Sequence, residues 1–179
     1  MVNKKKMKAA IAFLAERTKP GKVKLFKLLY FADFIAYAKW GKSITEDTYE
    51  NFEMGPVPRA LWRNLDRYAE VTPNPRGGPL TEQRIGGKDD ATLQALSEEE
   101  VGVLQEVIRK YGHLTGAQLR DLTHIEVPYR ATQRGEEIPY FLAPYRDVRR
   151  PTIEEVNHLL SNSAYIARLR KNSGSKDPD

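Results

Sequence analysis

Residues 23–38 leave a helix almost no polar face. Leu25, Phe26, Leu28, Leu29, Tyr30, Phe31, Phe34, Ile35 and Tyr37 cover nearly every direction around its axis. A helix apolar nearly all round has to be wrapped by the rest of its domain. With this helix (about residues 23–39) at the centre, the expected fold is α+β and mainly α. Its one acid, Asp33, would be costly to bury unpaired. It is expected at the rim, or accepting hydrogen bonds from a neighbouring loop or hydroxyl.

The flanking segments supply the wrapping. Residues 4–17 place Met7, Ala10, Ile11 and Leu14 on one face of an amphipathic helix, which Lys19-Pro20-Gly21 stops. Gly41 suits the left-handed position that closes the central helix. Residues 48–53 read as extended. Gly55-Pro56-Val57-Pro58 reads as irregular, leading into a helix over about 58–68 with Val57, Leu61, Leu65 and Tyr68 on its apolar side. Between Thr72 and Asp90 glycine and proline crowd the chain. A hairpin of residues 80–85 and 91–96 across Gly86-Gly87, paired with the strand near Tyr49, is the expected small antiparallel sheet. Ser97–Glu100, Thr115–Gln118 and Thr152–Glu155 have the spacing of helix-opening capping boxes. One domain over residues 1–171 and a disordered polar tail over 172–179 complete the expected organisation.

Composition narrows the chemistry. The chain has 179 residues and no cysteine, so disulfides and thiolate metal sites are excluded. No apolar run approaches the ~20 residues that span a bilayer, and the opening residues lack a secretory cleavage pattern. A cytoplasmic location without a membrane partner is expected. His113, His124 and His158 have no second histidine at helical spacing and no carboxylate cluster, so no metal site is expected. No serine sits in a Gly-x-Ser-x-Gly setting, and Arg76-Gly77-Gly78 is not followed by a phosphate-binding Gly-Lys pattern. The expectation is a chain without catalytic residues or cofactor. The net charge of +5 leaves one competing reading, a nucleic-acid-binding regulator. Its carrier would be Arg59, Arg63 and Arg67, which fall at i, i+4 and i+8 of one helix. A solvated helix face explains the same arginines, and nucleic acid is not the expected partner.

Several motifs occur in a telling order. Lys24-Leu25-Phe26-Lys27-Leu28-Leu29-Tyr30-Phe31-Ala32-Asp33 comes first, then Gly41-Lys42-Ser43-Ile44-Thr45, Asp47-Thr48-Tyr49 and Gly55-Pro56-Val57-Pro58. Leu96 to Glu100, Tyr111-Gly112, Leu122 to Tyr129 and Gly135 to Pro139 follow. Over about residues 5–160 this series resembles the Panacea, or SocA-like, antitoxin domain. Two positions depart from it: Glu46 stands where glycine is expected, and Tyr129 replaces a frequent tryptophan. The resemblance implies an antitoxin that neutralises a toxin encoded beside it. Most members are implied to act by direct protein binding; the SocA type delivers its toxin to a Clp protease as an adaptor.

Residue chemistry agrees with a binding role. Rigid aromatic and proline residues suit protein interfaces. The candidates are Tyr49, Phe52, Met54 and Val57, then Tyr140, Phe141 and Tyr145, and finally Tyr165, Ile166 and Leu169. The motif residues Lys24, Leu25, Tyr30, Asp33, Gly55, Pro56, Pro58, Thr123, His124, Pro128 and Tyr129 are expected to serve packing or binding. Among them, Tyr30, Asp33 and the proline segment, together with Tyr49, have a plain packing role open to them at the junction of helix and hairpin.

Overall fold

The computed structural model describes residues 2–73 and 83–146. The expected capping box at Thr152–Glu155, His158, Tyr165, Ile166, Leu169, the tail 172–179 and the first part of the expected strand 80–85 lie outside the described residues.

Helix α1 (Lys4–Thr18) starts at Asn3, whose side chain accepts from the Lys6 N–H, and ends where Lys19 turns left-handed before Pro20. It buries Met7, Ala10, Ile11 and Leu14, the stripe its spacing predicts. Helix α2 (Lys22–Trp40) runs through the centre and ends at Gly41 with φ +75°. Every side chain from Leu25 to Ala36 is buried. Burial of one large apolar side chain contributes about 1.5–3 kcal/mol, so this helix dominates the core. The mainly α, α+β architecture follows from it.

The sheets depart from expectation. β1 (Tyr49–Phe52) and β2 (Gly55–Pro58) form a hairpin, and β5 (Glu137–Ile138) pairs with the other side of β1, giving the order β2-β1-β5. The Gly-Pro-Val-Pro run is thus a strand, not an irregular loop. It lies at an edge, where residues without an N–H are tolerated. The expected partner of β1, a hairpin of residues 80–85 and 91–96, does not form. Instead β3 (Ala69–Thr72) pairs with β4 (Arg84–Gly87) in a separate sheet, with Gly86 and Gly87 inside the strand. A Cβ on Gly87 would come within 2.6 Å of Ala12 Cβ, so the glycine lets β4 lie directly on α1. Residues 93–95 form a 3-10 turn. The helix expected over 58–68 is interrupted at Asn64 (φ −140°), giving α3 (Arg59–Arg63) and α4 (Leu65–Tyr68).

Ser97 and Thr115 both make complete capping boxes, opening α5 (Glu98–Tyr111) and α6 (Gly116–Ile125). A short α7 (Val127–Arg130) packs on α6 and on a 3-10 segment (Tyr140–Tyr145), which closes the described chain against α2.

A candidate partner-binding groove

Buried polar contacts position the hairpin on α2. Asp33 is fully buried and accepts from the Thr45 N–H (2.8 Å), the Thr45 hydroxyl and the Tyr49 hydroxyl (2.8 Å). Of its two expected placements, the hydrogen-bonded one holds. Burial lifts its pKa to about 6, while the Thr45 and Tyr49 hydrogen bonds pull the other way. Asp47 accepts from the N–H groups of Ala60 and Leu61, acting as a remote cap for α3, whose own N-cap Pro58 offers no acceptor. Lys24 Nζ donates to the Gly112 carbonyl (2.6 Å), placing a cation at the C-terminus of α5.

A second network ties the far end of the chain to α2. Glu126 accepts from the Tyr30 hydroxyl (2.9 Å) and forms a bidentate ion pair with Arg146, whose guanidinium also lies 4.9 Å from the centre of the Phe31 ring. Burial opposes the Arg146 charge, but the Glu126 ion pair and hydrogen bond, together with Tyr30 and Tyr111, hold its pKa above the ordinary value. The Asn51 amide donates to the Tyr129 and Thr132 carbonyls, and the Tyr129 hydroxyl donates to the Phe52 carbonyl. The end of β1 that leads into the hairpin turn is therefore tied to α7 and the residues just after it.

That turn forms one wall of a groove of about 260 Å³ between the hairpin and the start of α2. Phe26, Phe52, Met54, Val57 and Trp62 give it an apolar lining; Lys22, Lys27, Arg134 and Glu53 supply charge. Met54 and Trp62 are 44% and 42% exposed on the same groove, and the Phe52 and Trp62 rings lie 5.2 Å apart. Lys27 is 1% exposed, and its Nζ donates to the Pro56 carbonyl (2.7 Å). Gly55, at φ +86°, is required here twice over. A side chain would be strained at that φ, and its Cβ would stand 2.6 Å from Thr123 Oγ1 and 2.9 Å from Lys27 Cε.

The profile of the family described as "Antitoxin SocA-like, Panacea domain" matches residues 25–128, more than half of the chain. The chain belongs to the SocA-like Panacea antitoxin family. No curated protein and no solved structure matches it. The Panacea match runs from Leu25 in α2 to Pro128 in α7, a shorter span than the resemblance over 5–160, and it takes in the hairpin and most of the groove.

Within the Panacea domain, the expected site residues divide by burial. Leu25, Tyr30, Asp33, Tyr49, Gly55, Pro56, Pro58, Thr123 and Pro128 are buried and build the scaffold. Tyr49, expected as a partner contact, presents no surface at all. Phe52, Met54 and Val57 come together in the groove. Tyr140 instead stacks on Tyr37 and donates to the Asp47 carbonyl; it and the half-buried Phe141 and Tyr145 lie outside the groove. His124 stacks on Tyr129 at 4.4 Å, and burial, then the Lys27 charge, lowers its pKa. Its Nε2 is buried without a hydrogen bond. The break at Asn64 disrupts the expected arginine track. Arg59 pairs with Glu50, while Arg67 joins Lys4, Lys5 and Lys8 around a separate cleft in which Lys8 is paired with Asp90. Sequence reasoning does not single out Lys27 or Trp62. For Lys27, the available signal is the one cation in the run Leu25–Ala36, where Asp33 is the only other charged residue.

Proposed function

We propose that this chain is a cytoplasmic, non-catalytic antitoxin that neutralises a toxin encoded by a neighbouring gene by binding it directly. One observation carries the reading: Phe52, Met54, Val57 and Trp62 form an apolar ledge beside the family's own motif. The ledge is partly exposed on a hairpin braced by Asn51 and Tyr129. Preorganised aromatic surface loses little entropy on binding, which is what a tight protein contact requires. Family membership supplies the toxin as the class of partner.

Co-expression tests this reading. The neighbouring gene product alone should arrest growth; with this chain it should not, and the two should co-purify. A harmless neighbour, or toxicity that persists in the presence of this chain, contradicts the reading. Rescue should survive in a host lacking Clp proteases. Rescue that disappears there would replace direct inhibition by delivery of the toxin to a Clp protease.

A further inference from the structure

The groove contains an unusual cation. Lys27 is buried, pairs with no carboxylate among the described residues, and makes one hydrogen bond, to the Pro56 carbonyl. An ammonium has three N–H donors, and burying it without a counter-charge is unfavourable. It lines an otherwise apolar groove that is open to the outside between Phe52, Met54 and Trp62. Lys22 and Arg134 stand at the same groove, against one acid, Glu53, which is already 3.5 Å from Arg134. The groove is therefore apolar in lining and cationic in balance.

We propose that this groove receives an apolar segment of the neutralised toxin carrying an aspartate or glutamate, whose carboxylate pairs with Lys27 while its apolar neighbours pack on Phe52, Met54 and Trp62. The inference rests on the antitoxin reading and assigns it a contact. Folding has already desolvated the lysine, so an incoming carboxylate meets a positioned donor in a water-poor setting, where a charge-assisted hydrogen bond is strong. Burial has also pushed the Lys27 pKa down to about 7. A paired carboxylate raises it again, so binding at pH 8 takes up a proton at Lys27. The other titratable groups around Lys27 are His124 on α6, Glu53 in the hairpin turn, and Lys22 and Arg134 at the groove. His124, with its pKa lowered, stays neutral at pH 8.

The test is calorimetric titration of the full chain with the purified product of the neighbouring gene, at pH 8 in two buffers of different ionisation enthalpy. Wild type should bind with net proton uptake. Trp62→Ala should weaken binding at least tenfold, and Lys27→Met should weaken it and abolish the uptake. Arg67→Ala, in the separate cleft, should bind as wild type. One Asp→Asn or Glu→Gln substitution in the toxin should reproduce the Lys27→Met loss and add nothing to it in the double variant. Unchanged affinity in Trp62→Ala, or in Lys27→Met, overturns the proposal while leaving neutralisation intact. Self-association of this chain that is lost in Trp62→Ala also overturns it, since a second copy would then fill the groove. Should Lys27→Met fail to fold, Trp62→Ala and the Asp→Asn or Glu→Gln substitutions in the toxin decide. If the wild-type chain neither binds nor neutralises the neighbour product, the antitoxin reading falls and this proposal with it.

Discussion

The Tyr49 hydroxyl donates to Asp33 Oδ2 across 2.8 Å, fastening the first strand of the hairpin to the middle of the central helix. Thr45 completes the site with two further donors. Asp33→Ala should therefore destabilise the fold at pH 7 by about 3 kcal/mol or more, since it strands three buried donors; Tyr49→Phe should cost about 1–2 kcal/mol. Burial raises the folded Asp33 pKa to about 6, above its unfolded value, so the folded state holds the extra proton. The stability contributed by the neutral form is full below pH 4 and is lost as pH rises through 6. Urea unfolding of wild type and Asp33→Asn between pH 4 and 8 should show this difference; a pH-independent gap would contradict it.

Lys27 has the opposite sign. Its pKa falls to about 7 on folding, so the unfolded chain binds more protons between pH 7 and 10. Wild-type stability should rise across that range, with a contribution from this group of at most about 1.4 kcal/mol per pH unit. In Lys27→Met the slope should flatten, and the variant should gain most relative to wild type near pH 6. Chemical denaturation at several pH values measures both slopes.

The Glu126–Arg146 pair is buried on both sides. Removing one partner leaves a stranded charge, so Arg146→Met should cost about 3–5 kcal/mol. Adding Glu126→Gln should recover part of that loss, although Tyr30 keeps its hydrogen-bond partner in either case. A double-mutant cycle read by thermal melting should return a coupling well above 1 kcal/mol; additive losses would show that the pair contributes little.

Two backbone positions make opposite demands. Glu46 has φ +55°, the left-handed region, at the place where the family resemblance calls for glycine. Glu46→Gly should stabilise by about 0.5–1 kcal/mol, because the relief of strain outweighs the loss of a half-exposed ion pair with Lys42. At Gly55, φ +86° combines with the close approach of Thr123 and Lys27, and Gly55→Ala should destabilise by about 2 kcal/mol or more. Melting temperatures of the two variants should move in opposite directions from wild type.

Features governed by neighbours in the chain are legible in the sequence. The central helix announces itself because twelve consecutive residues from Leu25 to Ala36 are buried and only two of them, Lys27 and Asp33, carry charge. Both capping boxes within the described residues form as spaced, since a cap involves residues three apart. Strand pairing escapes a sequence reading for the same physical reason in reverse. Ile138 lies opposite Tyr49 and Gly87 lies opposite Ala69, and no local pattern encodes partners so far along the chain. The candidate contacts Phe52, Met54 and Val57 stand out as rigid apolar residues near a turn; their union with Trp62 and Phe26 into one groove does not.

The sequence by itself determined that a helix apolar on all sides must sit at the centre of a mainly helical domain, and it carried enough ordered motifs to place the chain among Panacea antitoxins. Only the tertiary structure decided that the Gly-Pro-Val-Pro run is an edge strand, that Tyr49 is interior, and that Lys27 is buried at an open apolar groove. Hydrophobic periodicity is a local property and survives in one dimension. Whether a lysine on such a helix reaches water or is covered by a hairpin depends on contacts across 29 residues of chain, as between Lys27 and Pro56, and those exist only once the chain has folded.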